Sequence, residues 1–179
     1  MSGPWHGSVW TEAGQVRLLL EWPAGADDRL APDDCFARLR ARRRGADAAS
    51  FLAVAMPRYE AVLWAARGVY DLVRQPDADA MATVTAWLRD PSEARRRDAE
   101  AIARTMRTPT PERLCAWAAF MAGGSVAPEG SAPFLAPRDA TGRFAAAAVI
   151  LAAAPHGDAG LDAVLDAGAR MAETMECAA

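Results

Sequence analysis

From Pro32 onward the chain is punctuated at short intervals by residues that start or stop helices, which leaves little room for any fold but an all-α one. "DPSE" at 90–93 offers Asp90 as a cap, Pro91 for the first helical position and Glu93 for the third, the pattern of a capping box. "TPTPERL" repeats the device with Thr110 and Pro111, and Gly123-Gly124 supplies backbone able to turn left-handed at the other end. Six more helices follow from similar signals. Asp33 or Asp34 opens one that runs to the arginines before Gly45, and Asp47 opens "DAASFLAVAM". Pro57 falls in the first turn of the next, which the Gln75-Pro76-Asp77 break closes ahead of "DADAMATVTAWLRD". Thr141 caps a run to Ala154, and "DAGLDAVLDAGARMAETM" is the last. Such short connections force neighbours to lie nearly antiparallel. The expected fold is a compact stack or bundle of about seven to eight mostly antiparallel helices, one domain over residues 31–179. With 179 residues the chain can bury a core without disulfides or metal. Trp64, Trp87 and Trp117, one to a helix, are expected inside, and their unequal spacings of 23 and 30 residues argue against a solenoid repeat.

Residues 1–30 read differently. "GSVWTEAGQVRLLLEWPAG" alternates weakly, and Ala13-Gly14 suits the turn of a short hairpin between Val9-Trp10 and Val16–Trp22. The other reading is a non-helical arm laid along the domain, with Trp5, Trp10 and Trp22 packed onto it.

The stretch "MPRYEAVLWAARGVYDL" (56–72) is the densest in information. On a helical wheel Glu60, Arg67, Asp71 and Arg74 share one narrow strip, and the rest of the circumference is apolar or small. Such a helix is buried on most sides and belongs near the centre. Arg67 and Asp71 have i,i+4 ion-pair spacing. Gly68 weakens the helix by about 1 kcal/mol, a cost that close approach of a neighbour would offset. The functional alternative is that Arg58, Glu60 and Arg67 line a groove beside Trp64 and grip a partner's polar group, since Arg and Trp are favoured interface anchors.

Composition excludes several chemistries. All twenty cations are arginine, so neither a Walker A loop nor a pyridoxal Schiff base can be built. "MAGGSVAPEG" has the glycines of a phosphate loop, but it follows a helix and lacks that lysine. His6 and His156 have no Cys, His or carboxylate at ligand spacing, so no metal or cofactor site is expected. A catalytic triad would have to recruit one of these two histidines; a two-carboxylate hydrolase site leaves no motif and stays open. Cys35, Cys115 and Cys177 form no close pair, which fits a reducing compartment. The N-terminus lacks the pattern of a signal peptide, and the longest apolar run, 144–155, is short of the roughly 18–20 residues a membrane span needs. A cytoplasmic protein without membrane insertion is expected. A net charge of −3 gives no reason to expect nucleic acid. The arginines of 40–44 and 95–97 have acidic neighbours and read as solvated helix faces.

The loop at 123–137, "GGSVAPEGSAPFLAP", is long for a helix connection, and long loops in compact domains are often functional. Phe134 and Leu135 stand between prolines and cannot readily join a helix. They either cover the core or present themselves to a partner.

"FLAVAMPRYEAVLWAA", "AWLRDPSEARRRDAEAIA", "AAFMAGGSVAP" and "TGRFAAAAVILAAA", in that order over about 47–175, resemble an uncharacterised family of small bacterial proteins, a domain of unknown function with some members encoded near type VI secretion genes. Its landmarks fall here on Arg58, Glu60, Trp64, Gly123, Gly124, Ser125 and Pro128. The resemblance implies a bacterial helical protein and supplies no catalytic residue. The expected function is therefore a non-catalytic protein-interaction module, an adaptor or accessory tied to type VI secretion. A chaperone or immunity protein for one effector is the alternative, and a two-carboxylate hydrolase the third. The partner is another protein, with a homodimer kept open. The candidate partner-binding residues are Phe134, Leu135, Ser125, Arg58, Glu60, Trp64 and Arg67.

Overall fold

In the computed structural model, residues 5, 8–128 and 130–174 are described; His6 and Cys177 lie outside them. Among the described residues the chain forms nine α-helices. They are α1 (Ala13–Leu19), α2 (Pro32–Ala41), α3 (Gly45–Ala55), α4 (Arg58–Leu72), α5 (Ala78–Arg89), α6 (Glu93–Thr105), α7 (Pro111–Met121), α8 (Ala140–Ala153) and α9 (Gly157–Thr174). A single 3-10 turn, Ala154–His156, joins the last two. The all-α stack is as expected. Among the described residues the one β-type pairing is an isolated antiparallel bridge between Ser125 and Leu135.

The N-terminal hairpin is not formed. Ala13 and Gly14 open α1 instead of turning a strand, because Glu12 and Gln15 cap each other's backbone reciprocally. The buried positions Ala13, Val16 and Leu20 have helical spacing, which the weak alternation disguised. This segment still packs as its tryptophans suggested. Trp5 lies 5.2 Å from Phe36, Trp22 stacks on Phe51 at 6.4 Å, and Trp10 donates Nε1–H to the Val54 carbonyl at 3.2 Å. Asp27 binds Arg38 and Arg42. Burial pushes its carboxyl upward, but the hydrogen bonds and charges of the two arginines hold it below the ordinary value.

Several caps shift by a residue or two. Asp90 ends α5, its N–H bonding to the Ala86 carbonyl, and Ser92 takes the cap position of α6 that the sequence assigned to Asp90. Pro57 is the cap of α4 and not its first turn. Thr141 lies buried inside α8, with Asp139 at the cap. Thr110 behaves as expected, accepting from the Arg113 N–H at 3.3 Å.

α8 is the hub, packed against α3, α4 and α7. Its inward side is mostly alanine, with Val149 fully buried, so backbones approach closely. α4 is central as well. A Cβ on Gly68 would come within 3.0 Å of Val164 and 3.3 Å of Val149, the close approach that its helix weakness implied. Trp64 and Trp87 are buried, whereas Trp117 is only half-buried, stacked on Phe144 at 6.1 Å. The expected Arg67–Asp71 ion pair is absent among the described residues, and both side chains are exposed. α9 is held by a bond from the Trp64 Nε1–H to the Val164 carbonyl, 3.0 Å, and by a charged ladder. Arg40 pairs with Asp162 and Asp166, and Arg43 with Asp158. The helical stretch from Ala140 to Thr174 is long and apolar enough to cross a membrane by length and composition, but α8 has its apolar surface turned into the core.

Candidate docking site

The site starts from one side chain of α6. Arg96 follows Glu93 by three residues and precedes Ala99 and Ala103 by three and seven, so it shares the face of the two buried alanines. It is 3 % exposed, lying 4.7 Å over the Phe120 ring. All its nitrogens are used. Nε and Nη2 form a fork on the Glu93 carboxylate at 2.7 and 2.6 Å; Nη1 donates to the Phe120 carbonyl and Nη2 to the Ser125 carbonyl, each at 2.7 Å. Arg97 adds Nη2 bonds to the carbonyls of Ser125 and Ala127 at 2.8 and 3.0 Å. Two arginines thus clamp the backbone that leaves α7. Because guanidinium nitrogens only donate, the Phe120 carbonyl at the end of α7 and the loop carbonyls of Ser125 and Ala127 find partners here.

The acids are tuned by the same contacts. Hydrogen bonding from Arg96 holds Glu93 below its ordinary value, against a smaller upward push from burial. For Glu100 burial is the largest influence and pushes upward, but the bonds from Arg97 and Arg104 outweigh it and the carboxyl is lowered. The hydrogen bond to Glu100 raises Arg97.

Beyond the clamp the loop is tied to itself. Ser125 Oγ accepts from the N–H groups of Ala127 and Phe134 at 3.1 and 3.0 Å, and the Val126 N–H donates to the Phe134 carbonyl at 2.7 Å. Gly124 adopts φ +59° where the chain turns, and a Cβ there would strike Glu93 and Arg96 within 3.0 Å. The outcome is a fixed strap whose next residues point outward: Phe134 is 65 % and Leu135 72 % exposed, while Ala136 is tucked in. Beside the strap's root lies a cleft of about 440 Å³ between Tyr59, Trp87, Glu93 and Gly124. Tyr59 lies 5.8 Å from Trp87, and its hydroxyl donates to the Leu88 carbonyl at 2.8 Å.

The other sequence candidates are scattered. Arg58 and Glu60 are half-buried in the first turn of α4, the turn that also carries Tyr59. Trp64 is 2 % exposed with its N–H committed to Val164, so it offers a partner nothing. Arg67 is exposed beside a separate crevice between α4 and α9. Only Ser125, Phe134 and Leu135 come together. Arg96 is not among the sequence candidates: its acidic neighbours make 95–97 look like a solvated run, although its spacing with Ala99 and Ala103 puts it on the buried face. Of the run, only Arg95 is fully on the solvent side, paired loosely with Asp98 at 3.4 Å.

Burial raises the thiols of Cys35 and Cys115 above their ordinary value. His156 donates Nε2–H to the Leu72 carbonyl at 2.7 Å. No cluster of three or more metal-ligating side chains occurs among the described residues.

Fold and site together define an all-α stack that carries a clamped, apolar-tipped strap beside an aromatic cleft. Its sequence matches a family of unknown function, DUF6931, over residues 35–175, and the chain belongs to that family. No curated protein and no solved structure matches it.

Proposed function

We propose that this protein is a non-catalytic interaction module that docks a protein partner through Phe134 and Leu135. The observation that carries the reading is the combination of two large, exposed apolar side chains with a backbone fixed by Arg96, Arg97 and Ser125. Immobilising a loop costs entropy, and a loop already immobilised can spend its contacts on binding. A lid over the core would have buried the ring. The resemblance to proteins encoded near type VI secretion genes makes a bacterial cytoplasmic accessory of that machinery the specific form of the proposal. The products of such neighbouring genes are the first partners to try.

The test uses the full chain as bait, with wild type beside a Phe134→Ala/Leu135→Ala variant. A protein retained by the first and lost by the second, with melting unchanged, is the expected result. Equal capture by both, at equal affinity, rules the strap out as the docking element.

A further inference from the structure

At the end of α7 away from the strap, a groove of about 530 Å³ opens between the last turn of α4, the start of α7 and the junction of α8 with the 3-10 turn. Its walls are almost wholly apolar, built from Leu72, Val73, Leu151, Ala152 and Pro155. Leu151 is 38 % exposed, unusual for a leucine on the hub helix. The bond from His156 Nε2–H to the Leu72 carbonyl fixes the Pro155 wall against the end of α4, so the groove does not depend on a mobile segment. The only full charge on its lining is Arg74, which makes no hydrogen bond or ion pair among the described residues; no Asp or Glu lines it. Every side chain in the Arg96 clamp is saturated, and both α2 arginines, Arg38 and Arg40, are paired. Arg74, like the exposed Arg67 and Arg89, has no side-chain partner among the described residues, and of these it is the one that borders this groove.

A volume within the roughly 300–1,000 Å³ of small-molecule sites, apolar walls and one polar anchor are the usual elements of a ligand pocket. We infer that this groove binds a small amphipathic anion, an apolar body carrying one carboxylate, with the body against Leu72, Leu151 and Pro155 and the head on Arg74. A guanidinium takes a carboxylate through two parallel N–H···O bonds, which a neutral or cationic head cannot accept. This site is separate from the strap, and it stands or falls independently of the docking proposal.

Calorimetric titration of the full chain with decanoate tests it, with decanol and decyltrimethylammonium as head-group controls. Saturable binding at one equivalent is expected, with decanol and the cation each roughly tenfold weaker or worse. Arg74→Gln should weaken decanoate about tenfold, and Leu151→Glu, which sets an anion in the wall, should weaken it further. Phe134→Ala should bind decanoate as wild type does. Absence of saturable binding overturns the inference, and so does decanol binding as tightly as decanoate. An unchanged affinity in Arg74→Gln is equally decisive, because Arg74 is exposed and its replacement should leave the fold intact.

Discussion

Arg96 shows how much one side chain can organise. Its planar fork reaches an acid, a helix-end carbonyl and a loop carbonyl at once, while its face lies over Phe120. Lysine keeps the charge but has neither the fork nor the flat face. Arg96→Lys should therefore cost about 1–3 kcal/mol, the penalty of leaving buried carbonyls unmet, whereas Arg95→Lys should stay within about 0.5 kcal/mol. Urea melts of the two variants compare them directly. Titration belongs to this scale too. Glu93 and Glu100 are held below their ordinary range, so the stability they lend is complete above about pH 4.5 and is lost as pH falls through their lowered folded values. Acid melts between roughly pH 5 and 2 should thus show a loss that Glu93→Gln/Glu100→Gln reduces, with Asp27, held low by Arg38 and Arg42, accounting for part of what is left. A loss of equal size in that variant would place the acid sensitivity elsewhere.

At the scale of elements, the strap and α1 mark what the sequence showed and what it concealed. Loop length and flanking prolines were enough to single out Phe134 and Leu135, and helix starts at Pro32, Thr110 and Gly157 were legible within a residue or two. The clamp was not legible. It joins α6 to a loop about 30 residues on, and a run of three arginines looks solvated until the neighbouring alanines show which face is buried. α1 is not legible because its seven residues give only about two turns of helical signal, too little to outweigh a weak alternation. Since Phe134 is mostly exposed, Phe134→Ala should shift unfolding by no more than about 0.5 kcal/mol, far from the roughly 3 kcal/mol of a buried ring. A thermal melt settles this before any partner is known. The ladder between α2 and α9 carries a different expectation. Its pairs are partly or fully exposed, so Arg40→Gln should cost only about 0.5–1 kcal/mol at low salt, a cost that shrinks as salt screens the pair.

Across the whole molecule, α8 brings mostly small side chains to the core, so its backbone lies close to its neighbours, while Trp64, Phe36, Phe51 and Phe120 supply the bulk. The sequence announced the helices but not this order of contact, because alanines look alike whichever neighbour they meet. α9 closes the stack from outside, joined to α4 by one conspicuous bond that spans 100 residues, the Trp64 indole to Val164. That bond turns a single proton into a clock for the C-terminal helix. The Trp64 indole hydrogen can trade with solvent deuterium only when α9 lifts away, so it should exchange more slowly than that of half-buried Trp117. Arg40→Gln/Arg43→Gln should hasten it while leaving the Trp10 indole, bound to α3, at its own pace. Each helix then reports its own departure through a different tryptophan resonance, with no label added to the chain.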